Sequence, residues 1–244
     1  MKRSPSTKAT TDNVRKLPKP RIDALGERDI AERIFAAVME HRLPPGTKLA
    51  ENALCETFGA SRARIRRVLL ILAEREIVAL ESNRGAFVAR PTQDDARHVF
   101  QARCTIEPTI VRNAVSLISD AQIGLLRSQV KREIEAGRAG NRREAIRLSG
   151  SFHVRLAEFA GNPILQRVVE DLVARSSLII GLFGSRRVSF CSEEEHSGLI
   201  MAIEKRNAAR APVLMLEHLN RIERELELNG PVERVVNLQE IFDV

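Results

Sequence analysis

Between residues 28 and 89 the apolar residues hold a helical period through three short stretches, then fall into two brief runs divided by a turn. Few folds accommodate that order. From about Arg28, the apolar residues Ile30, Ile34, Ala37 and Val38 recur on one helix face, and Leu43-Pro44-Pro45-Gly46 ends the helix in a turn. A second helix is predicted over Glu51–Phe58, stopped by Gly59-Ala60. A third starts at Ser61, a side chain suited to cap a helix, and lines up Ile65, Val68, Leu69 and Leu72. Short runs at 77–81 and 86–89 flank Ser82-Asn83-Arg84-Gly85, which reads as a β-hairpin.

Three helices followed by a hairpin is the layout of a winged helix-turn-helix, here predicted over 25–91. Charge agrees with it. Residues 1–90 hold 18 basic and 11 acidic side chains, whereas 91–244 hold 21 of each, so the whole +7 excess lies in the first third. A basic module joined to a neutral one points to a polyanion as the first module's partner. The sharpest concentration is Ser61-Arg62-Ala63-Arg64-Ile65-Arg66-Arg67, four arginines and no acid at a helix start. Arg62 and Arg66, four apart, project away from the apolar stripe. Arginine forks match guanine edges and phosphate oxygens, and the helix N-terminus adds its own positive end. A solvated basic face would explain the arginines alone, but not the helix before them and the hairpin after. Residues 1–24, rich in Lys, Arg, Ser, Thr and Pro, read as a flexible basic arm.

After Pro91 the texture becomes wholly helical. Helices are predicted near 93–118, 120–137, 141–160, 163–182, 191–206 and 209–228, an antiparallel bundle over 92–230, with a tail at 231–244. Pro212 falls in the first turns of the last helix. Hydrophobic residues at 43% and charged residues at 29% describe a soluble globular chain, and no apolar run reaches the ~18 residues of a membrane span. The charged N-terminus lacks the apolar core of a secretory signal. Three scattered cysteines, Cys55, Cys104 and Cys191, make neither a disulfide framework nor a cysteine-based zinc site, so a cytoplasmic setting is expected. The absence of Trp and Tyr argues against recognition by aromatic stacking.

Three predicted helices each carry one histidine: His153, His196 beyond the acidic run 193–195, and His218. Three converging neutral imidazoles suit zinc, nickel or a similar ion. Taken singly, each is a histidine that a core or surface accommodates, and spacing does not establish convergence.

The run from Leu43 to Pro91 resembles the winged-helix domain of the GntR family of bacterial transcription regulators. The resemblance rests on Leu43-Pro44-Pro45-Gly46, Leu54, Gly59, Ser61-Arg62, Arg66, Leu69, Leu72 and Asn83-Arg84-Gly85-Ala86-Phe87-Val88. It implies that Ser61, Arg62 and Arg66 read the major groove of operator DNA, with Arg64 and Arg67 adding charge and Arg84 and Gly85 at the wing near the minor groove. Relatives often carry Thr-Pro or Thr-Thr where this chain has Ala63-Arg64, and Glu where it has Arg67. Residues 94–228 resemble the ligand-binding domain of the FadR-like branch, in which an aspartate four before a histidine and two later histidines bind a divalent metal. His153, His196 and His218 match those histidines; Ser149 stands in place of the aspartate. Arg103 matches an arginine that in relatives meets an acidic effector, although an intrahelical pair with Glu107 explains it equally. Glu144 lies half a turn round the helix from His153 and faces elsewhere, and Asp171 is on another segment.

The expectation is a bacterial regulator that binds double-stranded operator DNA as a homodimer and answers to an organic-acid effector. A divalent metal, zinc or nickel, is carried by the three histidines. Two alternatives remain open: a metal-dependent enzyme using those histidines, and an architectural DNA-binding protein without an effector. No general base or nucleophile motif accompanies the first, and the missing aspartate favours the second.

Overall fold

The computed structural model describes residues 25–184 and 193–226; the expected arm and tail, and Cys191, lie outside the described residues. The N-terminal head contains α1 (Glu27–Met39), β1 (Lys48–Leu49), α2 (Glu51–Phe58), α3 (Arg62–Glu74), β2 (Val78–Glu81) and β3 (Gly85–Val88). Gly59, at φ 57°, closes α2 in the left-handed region, where a residue without Cβ is unstrained. Two residues on, the Ser61 hydroxyl accepts from the Arg64 N–H at 3.3 Å and opens α3. The stripe Ile65, Val68, Leu69 and Leu72 is buried as its spacing predicts, against Ile30, Ile34 and Val38 of α1 and Leu54 of α2. The wing has three strands rather than two, in the order β1-β3-β2 and antiparallel throughout. The added strand pairs Lys48 with Phe87 and Leu49 with Ala86. Two residues are too short a run to show alternation, so only the pairing reveals it.

The C-terminal part is a bundle of α4 (Gln93–Leu117), α5 (Asp120–Arg138), α6 (Arg142–Phe159), α7 (Pro163–Phe183), α8 (Glu193–Glu204) and α9 (Arg210–Arg224). Side-chain caps set several starts: Thr92 with Asp95 and Ser119 with Gln122 form reciprocal boxes, and Asn162 caps α7 ahead of Pro163. Pro212 lies in the first turn of α9, as expected. Pro108 lies well inside α4, where it removes the N–H that would bond the Cys104 carbonyl. The main bundle core runs through Val111, Ala114, Leu126, Phe152, Leu156, Ile203, Met215 and Leu219.

Head and bundle meet chiefly on α7, with Arg147 of α6 also 4.0 Å from Glu40 at the end of α1. Ala174 and Leu178 of that helix are buried within the head's own core, beside Ile34, Leu72 and Val78. His41, just past α1, places Nε2 2.9 Å from the Ser177 carbonyl oxygen, and the Ser177 hydroxyl donates to the Met39 carbonyl at 3.1 Å. A Cβ at Gly181 would lie 3.1 Å from the His41 ring, a close approach that the bare backbone of α7 accommodates. Burial, then the charges of Arg142 and Arg143, push the His41 imidazole down to about 4.

Candidate functional site

Two surfaces carry chemistry. On the first, α3 presents the arginine cluster, with Arg62 and Arg66 exposed on the side opposite the buried stripe. Arg66 directs Nε at both oxygens of Glu51, 3.0 Å each, tying the reading helix to the start of α2. Arg67 donates to Glu27 at 2.6 Å, so its guanidinium braces α3 against α1. Like Arg66, Arg67 thus has a carboxylate partner on the head while its guanidinium stays largely exposed. Ser61 accepts within its cap, and its hydroxyl hydrogen stays available as a donor. In the wing, Arg84 pairs with Glu81, and its guanidinium carbon sits 5.4 Å from the centre of the Phe87 ring, with Lys48 Nζ at 6.0 Å. Phe87 thus gathers two cations at the wing, a contribution from Lys48 that follows from the unforeseen strand pairing.

The second surface is internal. His153 of α6, His196 of α8 and His218 of α9 are all buried, and one ligand atom from each lies within 4.8 Å of the others. The convergence that spacing alone left open is present. Each Nδ1 is held by a carboxylate: His153 by Glu107 at 2.5 Å, His196 by Glu133 at 2.9 Å and His218 by Glu195 at 2.9 Å. A carboxylate accepts, so each Nδ1 is the donor, which in a neutral imidazole leaves a lone pair on Nε2. The Nε2 atoms of His153 and His218 face each other at 3.3 Å. Two buried lone pairs at that distance repel unless a cation or proton lies between them. Two nitrogens ~2.0–2.1 Å from a tetrahedral zinc would be about 3.3 Å apart, so the spacing fits a metal.

Electrostatics support the same protonation states. Burial pushes the His153 imidazole down to about 3, against the opposing pull of Glu107. Burial by itself would raise the Glu107 carboxyl, but Arg103 and His153 outweigh it and hold the group ionised, well below the usual carboxylate range. Glu195 is likewise brought to about 2, burial being outweighed by hydrogen bonds from His218 and Arg221. Arg221 forks onto both Glu195 oxygens at 2.5 and 2.6 Å. The supporting role of these carboxylates was not evident in the sequence, where Glu107 reads as a partner of Arg103, Glu195 as part of an acidic run and Glu133 as an ordinary helix acid. The only available signal was chemical: a ligating imidazole wants a carboxylate behind it.

Arg103 makes the intrahelical pair expected of it. Its Nε donates to Glu107 at 2.5 Å, while its Nη2 is buried with no hydrogen-bond partner among the described residues. Oε1 of Gln129 and Oε1 of Glu133, one turn apart on α5, are also buried without partners among the described residues. Ser149 is half-buried one turn before His153 on α6. Glu144 is held by Arg147 at 2.6 Å and turns away from the histidines, as expected. Asp171 is no ligand; it accepts from Arg75 at 3.2 Å, on the far side of α7.

With this geometry in hand, comparison with known proteins is decisive. Residues 27–88 match the family described as bacterial regulatory proteins, gntR family, and residues 98–221 match the FCD domain. The chain belongs to the GntR family, with an FCD domain. It is therefore a DNA-binding transcription regulator, and the enzyme alternative falls with that membership. Relatives of this GntR regulator include the HTH-type transcriptional regulator YdhC of Bacillus subtilis, 25% identical over 72% of this chain and 80% of the relative. The HTH-type transcriptional repressor RspR of Escherichia coli is 24% identical over 74% of this chain and 79% of its own length. Another, the HTH-type transcriptional repressor NanR of Escherichia coli, is 26% identical over 79% and 81%. Escherichia coli McbR/YncC shares the fold at TM-score 0.72 and 16% identity, covering 80% of this chain and 93% of that one. A GntR regulator from Rhodococcus sp. RHA1 does so at TM-score 0.73 and 20% identity, covering 82% and 96%. Among the described residues no helix is long and apolar enough to cross a membrane.

Proposed function

We propose that this GntR regulator binds a two-half-site operator as a homodimer, and that a carboxylate effector in the FCD domain controls that binding. The observation that carries the reading is three buried imidazoles with ligand atoms within 4.8 Å of one another, each with Nδ1 on its own carboxylate. His153, His196 and His218 would hold a divalent ion such as zinc or nickel. A bound ion supplies Lewis acidity, an attachment point for an anionic ligand.

What this chain's own residues do follows from their chemistry. Ser149 puts a neutral hydroxyl where an anionic ligand is expected, leaving the ion's charge less compensated and a coordination place for an incoming carboxylate. The unpartnered Arg103 Nη2 offers that carboxylate a charged donor. Gln129 and Glu133 supply acceptors, which suits an effector bearing a hydroxyl or amine as well as its acid. Arg62 and Arg66 read base edges, with Arg64, Arg84 and Gly85 at the flanks and Lys48 on phosphate. One head contacts few bases, so a two-fold dimer on paired half-sites supplies the specificity.

The test begins with calorimetric titration of zinc and nickel into chelator-stripped protein. One ion per chain is expected, lost in His153→Ala. Carboxylates that raise the melting temperature only with metal present should then change affinity for a duplex selected from a random pool. No metal binding, or carboxylate binding indifferent to metal, would overturn the reading.

A further inference from the structure

Every helix of the bundle except α7 places a described residue in the histidine site: Glu107 on α4, Glu133 on α5, His153 on α6, His196 on α8 and His218 on α9. Yet α7 is the helix whose side chains enter the head's core, α6 touching the head only at the end of α1. Asp171, Ala174, Arg175 and Leu178 form one stripe at three- and four-residue spacing and face the head. Val169 and Val173 lie on the opposite side, in the bundle core that also contains Phe152, the neighbour of His153. This helix therefore lies between the element that reads DNA and the helices that build the internal site.

The polar part of that stripe has a definite pattern. At the end of α3, Arg75 directs Nε to Asp171 at 3.2 Å and Nη1 to Glu32 of α1 at 3.2 Å, with its guanidinium carbon 4.2 Å from the Phe35 ring centre. The next residue, Glu76, sits in the left-handed region at φ 57° and pairs with Arg175 at 2.9 Å. The signs are crossed: cation then anion on the head, anion then cation on α7. Apolar contact through Ala174 and Leu178 holds the head in place but has no directional preference. The crossed charges do. A slide of one helical turn, about 6 Å for four residues, would bring Arg175 beside Arg75, and the opposite slide would bring Asp171 beside Glu76. Either slide sets like charges together.

We propose that Arg75, Glu76, Asp171 and Arg175 are positioning residues that lock the reading helix in a single register on α7, so that α7 sets the spacing of the two heads on DNA. Half-exposed ion pairs contribute little to stability. Their effect is on geometry, which a melting temperature does not report. The spacing part rests on the dimeric reading above; the register part concerns the protein alone.

Full-length Glu76→Arg, Arg175→Glu, Asp171→Arg and the exchanged pair Glu76→Arg/Arg175→Glu provide the test. Hydrogen exchange of the DNA-free protein is followed over residues 72–78 and 168–178. Single reversals should speed exchange there at least about fivefold, the lower end of typical coupling between sites, and the exchanged pair should restore it. Affinity is then measured for duplexes carrying one half-site, or two half-sites at varied spacing, taken from a pool selected by the wild type. Single reversals should flatten the spacing preference while leaving one-half-site affinity within about twofold, and the exchanged pair should restore the preference. Unchanged exchange in the single variants, or an exchanged pair as loose as they are, overturns the proposal. A wild type without any spacing preference defeats the dimeric reading instead, and exchange still decides the lock.

Discussion

Replacing Glu107 by Gln keeps the side chain's shape and removes its charge at the centre of the buried chain Arg103–Glu107–His153. Arg103 is 3% exposed and Glu107 2%, so neither charge is appreciably solvated except by the other and by His153. Their contacts are short, 2.5 Å on each side of the Glu107 carboxylate. Breaking such a pair by neutralising one member costs about 3–5 kcal/mol, because the surviving charge stays buried without compensation. That is a large share of the roughly 5–15 kcal/mol that holds a domain folded. Urea unfolding of chelator-stripped protein measures the loss directly, with metal binding removed from the comparison. The double variant Arg103→Met/Glu107→Gln removes both charges and should recover much of the loss. Should Glu107→Gln stay within about 1 kcal/mol of wild type, or the double variant prove no more stable than the single, the buried pair does not act as described.

His41 gives a pH prediction. Its imidazole titrates near 4, below its ordinary 6.5, so its stabilising contribution is complete above about pH 6.5 and is lost as pH falls towards 4. Between pH 7 and 4.5 the wild type should lose about 2–3 kcal/mol more than His41→Asn, read from urea midpoints at both values; equal losses would contradict the buried, neutral imidazole. Arg62→Ala should weaken operator binding by about 1–3 kcal/mol and relax selectivity, whereas Arg67→Ala, which breaks only the exposed Glu27 brace, should cost under about 1 kcal/mol. Equal penalties in a fluorescence binding assay would place Arg67 in the reading set. Ser149→Asp should tighten zinc binding by about tenfold or more, the scale of a change around a ligand shell, and lessen its enhancement by carboxylates; calorimetry showing unchanged affinity would separate Ser149 from the metal.

Much of this architecture was legible because local signals and burial coincide. Ser61, Gly59 and the Ile65-Val68-Leu69-Leu72 stripe define α3 from neighbours alone, and the bundle breaks follow Asn162-Pro163 and Ser119-Asp120. The three histidines were legible as candidates because imidazole is scarce and chemically specific. Their supporting carboxylates were not, since Glu133 and Glu107 reach the site from helices 63 and 46 residues away in sequence from their partners. The third strand was hidden because a two-residue element has no period. Arg67's brace and the Arg75 and Glu76 pairs were hidden for a related reason: a surface arginine has the same appearance in sequence whether its partner is DNA, α1 or α7.

The presence of Ala174 and Leu178 in the head's core has a consequence for how regulators of this build can be recombined. A head cut out at the linker would lose Ala174 and Leu178 from its own core and uncover the apolar surface they bury. Grafted onto another bundle, it would need apolar side chains of matching size at the two corresponding positions of the receiving helix. The head of this chain is thus a poor interchangeable cassette, because part of its core belongs to the bundle.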